Sequence, residues 1–354
     1  MRKLISHVAL ALAAFAVSAC AGTITVDCNG GADFTNLPHA VAAAAVDDTL
    51  LVAPCIYEVE SPDWPITTGE WTPTIIGTGG PEVTVLQGDG SLSAFQMADG
   101  VYGARTRLIG LTFRSLDSPI SKPDPDSGGY LKLIGNIVED CARGLDASCA
   151  GSSSVVRGNV VRNCGGTGLM VYHNDGLIED NEICYCDWGI GQVCCEVPEI
   201  RLNHIHHNTL GGISTSFSCN VHHNVVEHNG GAGISCYMSG TIGHNTIRFN
   251  DVGLYQHTYP LVGLHYNDIN DNITYNYEAS GFTARAYDFD ATMNWWGTTD
   301  PLQISAGIHD CHDDPGINCC VVFDPWCSSP GCEATPTESS TWGRIKAIYR
   351  SGRE

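Results

Sequence analysis

An asparagine recurs at positions 136, 159, 181, 203, 224, 245 and 267, in the phrases GNIVED, GNVVRN, DNEICY, LNHIHH, HNVVEH, HNTIRF and YNDIND, at steps of 23, 22, 22, 21, 21 and 22 residues. A period this steady marks a solenoid, because a single unit cannot bury its own apolar face and must stack on its neighbours. Two positions after each Asn stands Val138, Val161, Ile183, Ile205, Val226, Ile247 or Ile269, and three positions before it Leu133, Val156, Ile178, Ile200, Val221, Ile242 or Leu264. A third aliphatic column, Leu145, Leu169, Ile190, Ile213, Ile234 and Leu254, follows a recurring glycine. Three short β-branched segments per period predict a three-faced coil of parallel strands, since a helical repeat would need a 3.6-residue periodicity and longer apolar stripes. The Asn side chain at the bend is expected to bond the backbone and its equivalent one rung away, as a ladder.

Composition agrees. With 40 Gly, 43% hydrophobic and 16% charged residues, the chain reads as turn-rich β protein and is too apolar for disorder. Its start, Met-Arg-Lys followed by LISHVALALAAFAVSACAG, has the layout of a secretory signal peptide over 1–21. Two cleavage readings compete: a lipobox ending at Cys20, which would carry lipid, and the A-x-A site Ala19-Cys20-Ala21. The strand-like TITVDC directly after it favours plain secretion to the periplasm, cell surface or exterior. No later run is long enough to span a bilayer, so membrane contact is expected only through such a lipid anchor. Seventeen cysteines suit an oxidising exterior. The pairs Cys28–Cys55 and Cys327–Cys332 are expected, with connectivity otherwise open. Loss of Arg2 and Lys3 takes the formal charge from −22 to −24, which argues against nucleic acid and anionic membrane as partners and favours cations.

The repeat resembles the right-handed parallel β-helix proteins of the pectin-lyase-like superfamily over roughly residues 23 to 325, which implies an all-β, single-stranded solenoid with a short N-terminal capping helix. Its cap is ITVDCNGGADFTNLPHAVAAAAVDDTLLVAPCIYEV, where Asn36 and Pro38 open the helix. Further coils follow at TIIGTGGPEVTVLQG and RLIGLTFRS, with Leu111 and Phe113 in the Asn and aliphatic positions. The segments DATMNWWGTTDP and FDPW resemble a terminal element, so Trp295 and Trp296 are expected to plug the stack. The expected organisation is a signal peptide over 1–21, cap and first coil over 22–60, β-helix over 61–325 and a Pro/Ser/Thr-rich tail over 326–354.

Several outward columns bear on chemistry. Arg157, Glu179 and Arg201, and likewise Glu139, Arg162, Glu227 and Arg248, alternate in sign and read as solvated ion ladders worth less than about 1 kcal/mol per pair. His204 and His206, with Glu182 and Cys184 on one neighbouring coil and Glu227 on the other, form a candidate site for a divalent metal, Ca²⁺ or Zn²⁺. His207 with His228, and His223 with His244, share columns. Cys141, Cys164 and Cys186 read as a buried stack with room for one disulfide, and Cys194 with Cys195 as a loop staple. Tyr172, Trp188, Tyr237 and Tyr255 lie around the glycine step, either as a row of ligand-binding aromatics or as half-buried turn packing.

Lyases of the superfamily, by resemblance, use an Arg or Lys base and usually Ca²⁺. Here no Lys lies between Lys132 and Lys346, and most coil arginines have a partner acid. The ordered motifs of polygalacturonase-like hydrolases and the Asp-Pro-His motif of alginate epimerases are missing. Arg344-Ile345-Lys346 matches one hydrolase fragment but sits in the tail, and the carboxylate pair Asp288 and Asp290 falls in the closing element. The leading expectation is therefore an exported, monomeric β-helix that binds extracellular polysaccharide. A carbohydrate-active lyase or glycosidase and a structural or adhesive surface protein are the alternatives.

Overall fold

The structure, a computed structural model, describes residues 21–69, 71–97, 102–122, 128–194, 196–216, 218–237, 240–257, 263–280 and 288–332. Residues 1–20, which include the expected signal segment and Cys20, as well as Cys195, the tail beyond 332 and Arg344-Ile345-Lys346, lie outside these residues.

The three aliphatic columns become three walls of one tube. The first wall is an eleven-stranded sheet, the second has ten strands and the third eight, and each strand pairs with its equivalent one coil away. Every pairing is parallel, and the register sets Val156 beside Ile178, Ile200 and Val221 in the first wall. In the second wall Val161, Ile183, Ile205 and Val226 are aligned. In the third Leu169, Ile190, Ile213 and Ile234 are aligned, and Leu254, Tyr277 and Ile308 continue that row. All of these side chains are buried. Parallel strands expose no self-sufficient face, so burial of both the ladder bonds and the interior rows is what makes the coils cooperate.

Each coil turns from the first wall to the second through one left-handed residue. Gly135, Gly158, Asp180, Leu202, His223, His244, Tyr266 and Met293 have φ between 56° and 63°, and each precedes a ladder asparagine. The next corner does the same through Asp140, Asn163, Tyr185, His207, His228, Phe249 and Asp271. A non-glycine residue in this conformation is strained by roughly 1–2 kcal/mol. The asparagine that follows offsets that cost. Asn203, for example, donates from Nδ2 to Ile178 O at 3.0 Å, Arg201 O at 2.9 Å and Asn224 Oδ1 at 2.9 Å, while its own Oδ1 accepts from the backbone and side-chain nitrogens of Asn181. The ladder runs unbroken from Asn136 and includes an eighth member, Asn294, after a longer step of 27 residues. A second ladder, Asn208, Asn229, Asn250 and Asn272, lines the other corner and ends on Asn276. In earlier coils Cys141, Cys164 and Cys186 take those positions as buried thiols, with no disulfide among the three.

Both ends are closed. Helix Leu37–Ala43 begins at Asn36, whose Oδ1 accepts from His39 N at 3.1 Å, and it buries Leu37 and Ala40 against the first strands. Cys28 and Cys55 form a disulfide beside it. At the far end Trp296 is buried in the core and Trp295 bridges Asp268, so this pair closes the stack. A second helix, Pro301–Ala306, and the disulfides Cys311–Cys320 and Cys327–Cys332 complete that end. The helix and the Cys311–Cys320 pair have no counterpart in the sequence expectations. Among the described residues no helix is long and apolar enough to cross a membrane.

Candidate functional site

Before the third wall begins, a short sheet of strands Ile66–Thr68, Phe95–Met97 and Ile120–Ser121 lies on the same side of the tube. Where its last strand meets Leu145–Asp146, the outward residues enclose a groove of about 560 Å³. Ser121, Lys122, Arg143, Asp146, Met170 and Tyr172 line it. The register explains its depth. Asp146 pairs with Met170 and Met170 with Gly191, so the outward row shrinks to a hydrogen at the third coil.

Lys122 is the unusual member. Its side chain is 1% exposed, its Nζ donates to Ser148 O, and it lies 3.7 Å from Asp146 Oδ1. Burial pushes the Lys122 ammonium below its ordinary range, and the Asp146 carboxylate opposes this only in part. Asp146 also accepts from Ser148 N at 2.9 Å, while Ser148 Oγ is buried without a partner among the described residues. A buried hydroxyl without a partner is costly in an ordinary core and suits a wall that meets polar ligand atoms. Arg143 stands at the rim, paired with Asp117 and largely exposed. The sequence reading missed Lys122, Arg143 and Asp146. No residue type recurs at their positions, since Asp146 is followed in its row by Met170 and Gly191, so no periodic signal marks them.

Of the four aromatics, Tyr172 lines this groove, in register with Cys194 and edge-on to His173. Trp188 sits one column over, where its ring fills the space left by Gly211: a Cβ there would fall 2.4 Å from the indole. Tyr237 stacks on His257 at 3.5 Å and Tyr255 meets the same ring edge-on at 4.3 Å. Tyr255 and Tyr237 therefore form a cluster of their own. Met170 and Tyr255 are four coils apart, about 19 Å along the wall at the usual strand spacing.

The four residues of the candidate metal site do not converge. His204 Nε2 meets Glu227 Oε1 at 3.0 Å, while His206 Nε2 meets Glu182 Oε1 at 3.4 Å on the opposite diagonal. Glu227 is further engaged by Arg248 Nε at 2.8 Å. Glu182, Cys184 and His206 do bring one ligand atom each within 4.8 Å of one another, but Cys184 is buried and burial raises its thiol to about 11, so it keeps its proton at neutral pH.

The ion ladders are less exposed than expected, because each central carboxylate is clamped from both sides. Glu139 is 7% exposed between Arg114 and Arg162, and Glu179 is 8% exposed between Arg157 and Arg201. Burial alone would raise these carboxyls, but the flanking guanidinium groups outweigh it and hold both below the ordinary glutamate range. Arg248 and His204 do the same for Glu227. A depressed folded-state value means stability that is complete above the unfolded glutamate value, about 4.3, and is lost as pH falls through the folded values. The urea midpoint should fall steeply below about 4 as these carboxylates take up protons. Replacing Glu139 and Glu179 with Gln should flatten that acid limb.

These features define a right-handed parallel β-helix protein. Residues 126–252 match the family model described as the right handed beta helix region. Among solved structures, the A-module of the mannuronan C-5 epimerase AlgE4 from Azotobacter vinelandii is similar with a TM-score of 0.52. That match has 14% sequence identity and covers 82% of this chain and 93% of that one, a likeness of fold. A search of the curated proteins finds no match.

Proposed function

We propose that the protein is exported and binds an extended polysaccharide along its third wall, with the groove at Lys122 as the central subsite. One observation carries this reading: a groove of about 560 Å³ unites a buried ammonium, a carboxylate, an orphaned hydroxyl and the tyrosine ring of Tyr172. Sugars are recognised by that combination of hydrogen-bonding groups and a flat apolar surface. The parallel wall continues beyond the groove to the Tyr237–His257–Tyr255 cluster, which suits a polymer better than a monosaccharide. Export is supported by the N-terminal leader pattern and by three disulfides, which persist outside the reducing cytosol.

The ligand class is a uronate-containing glycan. Lys122 and Arg143 bring two cationic donors to the groove, each beside a carboxylate, Asp146 and Asp117, and the similar fold from Azotobacter is, by its name, that of an enzyme acting on mannuronan. A second reading, a lyase on the same groove, is favoured by the depressed Lys122 ammonium, since a lysine nearer neutrality can accept a proton. A screen of neutral and acidic polysaccharides with and without Ca²⁺ separates the readings. Retention on uronate polymers without ultraviolet-absorbing product is the expected result. Release of unsaturated product selects the lyase, and neither retention nor product removes both.

A further inference from the structure

In a β-strand consecutive side chains point to opposite faces, but a left-handed residue at a corner breaks that alternation. At each corner of this solenoid the last strand residue and the left-handed residue after it therefore both stand outside. Only two corners place histidine at both positions: His206-His207, leaving the second wall, and His222-His223, leaving the first. Both adopt the same geometry. His206 Nδ1 lies 2.8 Å from His207 Nδ1, and His222 Nδ1 lies 2.8 Å from His223 Nδ1, with the rings nearly perpendicular.

The far side of each first ring is occupied by a carboxylate. His206 Nε2 faces Glu182 at 3.4 Å and His222 Nε2 faces Glu199 at 3.2 Å. An imidazole that donates Nε2–H to a carboxylate carries its lone pair on Nδ1, the arrangement by which acidic partners orient metal-binding histidines. We propose that the two corners are twin two-imidazole chelates for a tetragonal divalent metal, nickel(II) or copper(II), with water in the remaining positions. Two nitrogens at about 2.0 Å from such a metal and at right angles stand about 2.8 Å apart, whereas tetrahedral zinc would separate them to about 3.3 Å. The chain's net negative charge favours the cation. The outer rings are held in place by stacking, His207 on His228 at 5.1 Å and His223 on His244 at 5.0 Å. The other histidine–cysteine group, Cys311, His312 and Cys320, has both sulfurs in a disulfide and offers no comparable site.

The test is calorimetric titration of the untagged full chain with Ni²⁺ at about pH 7.5, beside the His207→Asn and His223→Asn variants. Asparagine accepts the left-handed conformation, so both variants should fold, with circular dichroism as the check. Two equivalents are expected for the parent chain, one for each single variant and none for the double variant. Glu182→Gln should weaken one of the two sites by about tenfold and leave the other unchanged. If each nitrogen pair instead shares only a proton, the parent chain will take up no nickel, and the proposal fails. It fails equally if the double variant still binds two equivalents.

Discussion

Asn203→Leu is expected to lower the unfolding free energy by about 4 kcal/mol or more, a large part of the 5–15 kcal/mol typical of a domain. The asparagine is 1% exposed, and its side chain makes five hydrogen bonds in the middle of the ladder. Leucine has similar volume but leaves the backbone N–H of Asn181 without a partner and removes one bond each from Ile178 O, Arg201 O and the two neighbouring amides, Arg201 O keeping only its bond from Asp180 N. Each buried orphan costs about 1–3 kcal/mol, reduced by whatever the coil can relax. The left-handed conformation at Leu202 also loses the bonds that hold it. Urea denaturation is the measurement, with Ile205→Val, which removes one buried methylene and should cost about 1 kcal/mol, as the scale. Because coils communicate mainly with their neighbours, the transition should also divide into two, one for each side of the lesion. A loss below about 1 kcal/mol would show that the ladder decorates the corner without stabilising it.

Lys122→Met should separate binding from stability. The ammonium is buried against Ser148 O and Asp146, so a charge-assisted contact to an acidic sugar through it is worth about 1.5–3 kcal/mol, or roughly 10- to 100-fold in affinity. Methionine fills the same volume without the cost of burying a charge, and Asp146 keeps its bond from Ser148 N. Retention on the selected uronate polymer should fall by about that factor while the melting temperature drops only modestly, since Asp146 loses its partner but stays partly exposed. Equal loss of both would assign Lys122 to the scaffold, and unchanged retention would move the ligand off this groove.

The interior was readable because it repeats. Each of Val161, Ile183, Ile205 and Val226 meets the same neighbours one coil away, so one packing rule is written again every 21 to 23 residues. The capping helix was readable for a local reason, an asparagine and a proline at its start. The eighth ladder rung at Asn294 escaped notice because its step of 27 residues departs from the period. The metal set built on His204, His206, Glu182 and Glu227 followed strand neighbours in register, whereas long side chains reached across the diagonals and Arg248 engaged Glu227 first.

By itself the sequence determined the coil, its three aliphatic walls and its asparagine corners, because those depend on side-chain type at a fixed spacing. Only the tertiary structure decided the groove and the paired imidazoles. Lys122, Asp146 and Tyr172 obey no common period and meet because separate coils stack in register. His206 and His207 face one another because a left-handed corner turns two consecutive side chains to the same side, which strand alternation alone would have kept apart.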